Sequence, residues 1–170
     1  MKKKTQIGGV TVIVILLALG GIYACKSSPR EKAGEEAAEK AIENATGEKV
    51  EIENKGADVT IEGEGGRIVM STGEAVWPSD IPGDVPEFKG AKILRVTRGD
   101  APGGHTWSVF FEGAGIEKLE AYDAALKSAG YKTFRMQAPQ GGNVTAEKGN
   151  VTVSCIVSEK TCMVSVLQKK

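Results

Sequence analysis

The side chains in this chain that can do covalent or proton chemistry near neutral pH are few: Cys25, Cys155, Cys162 and a single histidine, His105. A metal site needs several ligands at close spacing, and His105 has neither a second histidine nor a paired-cysteine motif beside it. A nucleophilic triad needs a serine or cysteine, a base and an orienting acid brought together. Asp100 and Asp123 are candidates to orient His105 and Ser108 lies close by, but no nucleophile elbow surrounds them. The expectation is therefore a solvent-facing loop histidine, with no catalytic residue, metal site or cofactor site. The glycines of Gly63-Glu-Gly-Gly66 lack the preceding buried strand and following helix that a dinucleotide loop requires, and read as a turn.

Cys25 has a different chemistry. Lys2, Lys3 and Lys4 precede twenty uncharged residues, Thr5 to Ala24, whose centre Val10 to Leu19 is almost wholly apolar, and Cys25 follows the small residue Ala24. This is the order of an export signal. Ile22-Tyr23-Ala24-Cys25 resembles the lipobox of bacterial lipoproteins, which implies that Cys25 is the lipid attachment site and that residues 1–24 are a signal peptide; Tyr23 is bulkier than that pattern favours. An uncleaved anchor is the alternative, since about 20 apolar residues cross a hydrocarbon core, but Gly8, Gly9, Gly20 and Gly21 weaken it. Either way the lysines leave residues 26–170 outside the cytoplasm. The expected location is the cell envelope, with a membrane partner reached through the lipid.

In an oxidising compartment Cys155 and Cys162 read as a structural disulfide. Val151, Val153, Cys155 and Val157 alternate onto one face, as do Cys162, Val164 and Val166. A turn at Ser158-Glu159 sets the two cysteines opposite each other. A turn at Glu159-Lys160 keeps the same faces but sets Cys155 opposite Val164. The eight-residue loop would contribute about 2.5 kcal/mol in the chain-entropy model.

These residues have to be positioned by a fold of modest size. Lys+Arg and Asp+Glu each number 22 in 170 residues; without the first 24, whose only charges are three lysines, 19 bases face 22 acids, a net of −3. That sign argues against a nucleic-acid partner. Ser28-Pro29-Arg30-Glu31 has capping-box spacing, so a helix should start there and end near Thr46 with Gly47 left-handed. Its stripe of Ala37, Ala38, Ala41, Ile42 and Ala45 is thin, which suits a solvated spacer within a tether, residues 25–47. Three short alternating runs within 48–75 predict a β-meander.

Residues 76–170 are expected to form an α+β domain. It begins with Trp77-Pro-Ser-Asp-Ile81-Pro-Gly-Asp-Val85-Pro-Glu-Phe88, whose three prolines predict an extended strap that packs its apolar residues on the domain. A hairpin follows at 92–98 and 106–112, then a helix carrying Ile116, Leu119, Tyr122, Leu126 and Ala129, capped by Gly130. Strands are predicted near 132–137, 143–147, 151–157 and 161–167. The sum is a mostly antiparallel sheet with one packed amphipathic helix, in the order strand, strand, helix, four strands.

The chain from the Ala-rich helix through Val59-Thr-Ile-Glu62, the Trp77–Phe88 stretch, Thr106-Trp107, Ala129-Gly130-Tyr131 and Thr145-Ala-Glu-Lys-Gly149-Asn resembles a family of uncharacterised bacterial lipoproteins carrying a domain of unknown function. The resemblance implies a location and an architecture and transfers no site. The expected function is a non-catalytic binding or interaction module in the envelope, with an envelope protein or a ligand as partner; the alternative is an envelope enzyme using His105 or the Cys155/Cys162 pair.

Overall fold

The computed structural model describes residues 31–47, 49–55, 57–73, 76–138 and 141–170, and the signal stretch, Cys25 and the Ser28-Pro29 cap lie outside them. The described residues form two helices and nine strands, a mixed α+β structure that is mostly antiparallel sheet. No helix among them is long and apolar enough to cross a membrane. The chain divides into two units: residues up to Glu53 with Ile61–Gly65, and Asn54–Thr60 with Gly66–Lys170.

In the first unit α1 (Glu31–Thr46) ends as its composition requires. Gly47 takes φ 75° and its N–H donates to the Glu43 carbonyl at 2.8 Å, the left-handed stop that glycine adopts without strain. The helix is not solvated all round. Ile42 is buried, and the Glu39 carboxylate accepts the Ile52 N–H at 2.8 Å, tying the helix to β1 (Val50–Lys55). Ala37, Ala41 and Ala45 are exposed.

The second unit takes in the 54–60 ends of β1 and β2 (Asp58–Gly63), then β3 (Gly66–Ser71), β4 (Lys92–Ala101), β5 (Gly104–Glu112), α2 (Ile116–Ser128), β6 (Lys132–Ala138), β7 (Gly141–Lys148), β8 (Val151–Ser158) and β9 (Thr161–Lys169). The strands lie in the order β1-β2-β3-β4-β5-β9-β8-β7-β6, and every pairing from β3 onward is antiparallel. The third run of the expected meander, β3, is hydrogen-bonded to β4 and so continues this sheet.

Alternation divides the sheet into two faces. Val96, Val109, Val164, Cys155 and Val144 lie in one cross-strand row of the inner face, all buried. The helix α2 packs over β6, β7 and β8 and sinks Leu119, Tyr122 and Leu126 into that face. Its last turn closes on Gly130 (φ 86°), with the Tyr131 N–H reaching the Leu126 carbonyl at 3.0 Å.

The strap covers the rest of the inner face, but as two tight turns instead of an extended segment. The Ile81 N–H donates to Pro78 O at 3.4 Å and the Val85 N–H to Pro82 O at 2.9 Å. Each proline opens a turn completed by Ser79-Asp80 or Gly83-Asp84, residues that favour turns, and this outweighs the extended bias on the residue before each proline. The turns aim Ile81, Val85 and Phe88 into the core. Phe88 sits 4.9 Å from the Phe111 ring and 5.2 Å from Tyr122, and Trp77 stacks on Phe111 at 6.4 Å.

The hairpin of β8 and β9 turns at Glu159-Lys160, not at Ser158-Glu159. Ser158 pairs with Thr161, Val157 with Cys162 and Cys155 with Val164. Glu159 adopts φ 54°, and the turn is secured by Thr161 Oγ1 donating to Ser158 O at 2.9 Å. The Lys160 carbonyl is also taken, by the Gly113 N–H at 2.8 Å, which binds this turn to the end of β5. Those bonds outweigh the unfavourable left-handed backbone of a glutamate.

Candidate functional site

The side chains with chemical potential gather at one end of the inner face. Arg98 pairs across the strands with Trp107, and one row farther on Asp100 pairs with His105, which pairs with Gln168. With Asp80, Gly99 and Thr106 these residues line a recess of about 320 Å³. Local structure explains the arrangement. The β4–β5 turn follows Ala101 and so holds Asp100 and His105 opposite each other, and alternation puts them on the face that carries Trp107 and Arg98.

The polar side chains of the recess are engaged in pairs. Asp80 reaches down from the first strap turn to accept the Trp107 Nε1–H at 2.9 Å and the Arg98 Nε–H at 3.0 Å. Burial acts to raise the Asp80 pKa, but these hydrogen bonds and the Arg98 charge outweigh it and hold the carboxyl below its ordinary 3.8. His105 Nδ1 meets the Asp100 carboxylate, and its ring lies 6.1 Å from Trp107. Of the two acids considered as partners for His105, the structure brings up Asp100. Asp123 is buried on α2, where burial raises its pKa but Lys127 at 2.8 Å and the Arg135 charge lower it more.

Ser108 stands on the other face of the sheet, its Oγ 3.2 Å from that of Ser165, so it does not meet His105. A histidine whose Nδ1 is held by a carboxylate can exchange a proton through Nε2, and that is the chemistry the recess contains. Among the described residues no three His, Cys, Asp or Glu side chains come together to hold a metal ion.

The two cysteines are diagonal neighbours beneath α2. Both are free thiols, with sulfurs 3.6 Å apart, and they are 0% and 3% exposed. The direct opposition that a Ser158-Glu159 turn would have produced is replaced by Cys155 facing Val164, for the reason given above. Contact with Cys162 and burial together push the Cys155 thiol up, away from the thiolate that a nucleophile needs. The Tyr122 hydroxyl is buried near them without a hydrogen-bond partner, and burial, with both thiols beside it, raises its pKa as well.

The chain matches no family model, no curated protein and no solved structure in comparison with each.

Asp80, Arg98, Trp107 and Gln168 were not singled out from the sequence as site residues. One signal was available: Arg98 alternates with Val96 onto the inner face, and an arginine there needs an acid, as a buried indole N–H needs an acceptor. The second strap turn is fastened in the same manner. Asp84 pairs with Lys148 at 3.0 Å, and Lys148 also donates to Ala129 O at 2.9 Å. Burial and the Asp84 charge push the Tyr131 phenol beside them up to about 12.

Replacing Asp80 tests the fastening. Asp80→Ala should lower unfolding stability by about 1–2 kcal/mol, because it strands the indole N–H as well as a charge partner. The Asp80 pKa is depressed on folding, so its contribution is complete above pH 3.8 and disappears as pH falls through the folded value. Urea unfolding of both proteins should therefore show a gap at pH 6 that narrows below pH 3.8; a gap independent of pH would exclude the carboxylate as its cause.

Proposed function

We propose that this protein is a lipid-anchored cell-envelope module that binds a partner or small ligand without turning it over, and that the recess beside His105 is where it binds. The recess carries this reading. Asp80 is paired with Arg98, and Asp100 is hydrogen-bonded to His105, so the recess offers hydrogen-bonding edges and an indole rim. Such a lining fits a neutral polar group. Ser108, the candidate nucleophile for His105, lies on the opposite face, the Thr106 hydroxyl donates to the Gly99 carbonyl, and both thiols are sealed in the core. The alternative, an envelope enzyme, draws on the Asp100–His105 pair, which can shuttle a proton.

The anchor half of the proposal rests on Lys2–Lys4, the apolar stretch and Ile22-Tyr23-Ala24-Cys25, and on the resemblance to lipoproteins of unknown function. In that role α1 and the segment before it space the module from the bilayer, and the finer arrangement is one packed helix on a sheet behind a spacer. Outside the cytoplasm the Cys155 and Cys162 sulfurs, already in contact, would be oxidised to a disulfide by an exchange partner that carries a disulfide, which leaves reduced.

Two measurements check these statements. Protein extracted from membranes without reductant, denatured, alkylated and weighed intact should begin at Cys25, carry acyl mass and take no alkyl group at Cys155 or Cys162. A retained Met1 would overturn the lipid anchor, and two alkyl groups the bridge. A photo-crosslinking residue placed at Gln168 in the host should capture one discrete species that the same residue at exposed Ser128 does not, and His105→Ala should reduce that capture with the fold intact. Turnover of the captured species, abolished by His105→Ala, would decide for the enzyme.

A further inference from the structure

The Cys155 and Cys162 thiols lie 3.6 Å apart, yet at 0% and 3% exposure neither meets a reagent while the inner face is covered. Two pieces of cover lie over them. Cys162 pairs across the strands with Phe111, and the strap rings sit on Phe111, Phe88 at 4.9 Å and Trp77 at 6.4 Å. Tyr122 of α2 stands beside both thiols, with the Phe88 ring 5.2 Å from its own. The two covers are held differently. The helix sinks Leu119 and Leu126 to 0% exposure and is closed by the Tyr131 N–H on the Leu126 carbonyl. The strap pairs with no strand, and its hydrogen bonds from Ile81 to Pro78 and from Val85 to Pro82 close its own turns, so they survive when it lifts. Its ion pairs to the sheet, Asp80 with Arg98 and Asp84 with Lys148, involve side chains 27–50% exposed, where water readily takes the partner's place. Beyond Phe88, Lys89 and Gly90 are exposed, and Gly90 at φ 81° is a hinge that only glycine makes without strain.

We propose that the strap is the gate of a redox-sensitive cysteine pair: residues 77–88 lift from Phe111 while α2 stays in place, Cys162 then meets a disulfide-bearing reagent, and the Cys155–Cys162 bridge that results is sealed when the strap returns. The device depends on neither the recess nor the anchor. Its steps balance. The Cys162 thiolate attacks one sulfur of the reagent, which forms a mixed disulfide and releases the reagent's other sulfur as a thiolate; Cys155, already in contact, attacks Cys162 Sγ and expels the second. Two electrons pass to the reagent, and the two cysteine protons end on its thiols. A reductant has to enter by the same gate, so the redox state of the pair is set by how often the strap opens.

The test uses the full chain, reduced and folded in detergent, with dipyridyl disulfide as the reagent and the released thiopyridone read by absorbance. Lifting the strap exposes only part of the core, so the logarithm of the exchange rate should rise with urea at less than about half the slope of global unfolding. Asp80→Ala, which frees the Trp107 end of the strap, should speed native exchange about 5- to 30-fold. Leu126→Ala, which weakens α2 and with it global stability, should leave native exchange within about 2-fold of wild type. A wild-type urea slope equal to that of global unfolding overturns the gate, as does acceleration by Leu126→Ala equal to that by Asp80→Ala; the slope decides even where Leu126→Ala does not fold. Single variants read the order of attack. Cys155→Ala, which keeps Cys162, should react faster than Cys162→Ala, and the reverse order overturns Cys162 as the first sulfur. None of these readings involves capture at Gln168, so the gate and the recess stand or fall separately.

Discussion

The inner face of this sheet is wider than the helix that has to cover it. A helix is about 10 Å across, and neighbouring strands lie about 4.8 Å apart, so one helix shields two or three strands. Here α2 covers β6, β7 and β8, while the apolar row on that face runs on through Val164, Val109 and Val96 of β9, β5 and β4. Left bare, those valines, Phe111 and Trp107 would form a large exposed apolar patch, of the kind that soluble monomers rarely carry. The strap supplies the missing cover. Its two turns place Ile81, Val85 and Phe88 over Phe111 and against Tyr122, so that helix and strap meet over one aromatic cluster.

Apolar contact alone would let the strap slide, because it has no strand partner of its own to fix its register. Two carboxylates do that work. Asp80 engages Trp107 and Arg98 at one end, and Asp84 engages Lys148 at the other. The cover therefore stops at the Arg98–Trp107 row. The next row, Asp100, His105 and Gln168, stays open, and that uncovered margin is the recess. Its polarity follows from its place: groups beyond the end of the cover must be able to face water, and where charges stand there they are paired locally.

The strands, the amphipathic helix and the inward strap residues were legible because each is written in a short period of apolar residues. Strands 143–147, 151–157 and 161–167 needed only alternation, and Gly130 and Gly47 mark helix ends that few other residues could make. What stayed hidden depended on choices between near-equal local alternatives. Both turns of the β8–β9 hairpin keep the valines inward; the selection was made by the Gly113 bond to the Lys160 carbonyl, a contact more than 40 residues away in sequence. The strap has the same lesson. Proline bias predicts extension, but Ser-Asp and Gly-Asp after the prolines close turns that become worthwhile only when a sheet lies beneath to receive Ile81 and Val85. The pairing of His105 with Asp100 depended likewise on the register of one hairpin.

The outer face of the sheet shows why the same fold can tolerate an open side. Thr97, Ser108, Ser165, Ser154 and Thr145 form one cross-strand row, and all but Thr97 are half-buried, so the middle of that face is hydroxylated. That row ends at the β6 edge on Phe134, and the next row, Phe110, Met163, Ile156, Asn143 and Met136, is mostly apolar. This separates the surfaces. The recess belongs to β4, β5 and β9, and β6 is three strands beyond β9, about 14 Å along the sheet. A strand added at β6 extends the sheet in its own plane and leaves the far margin of the inner face untouched. The β6 edge and the recess are therefore sterically independent of each other.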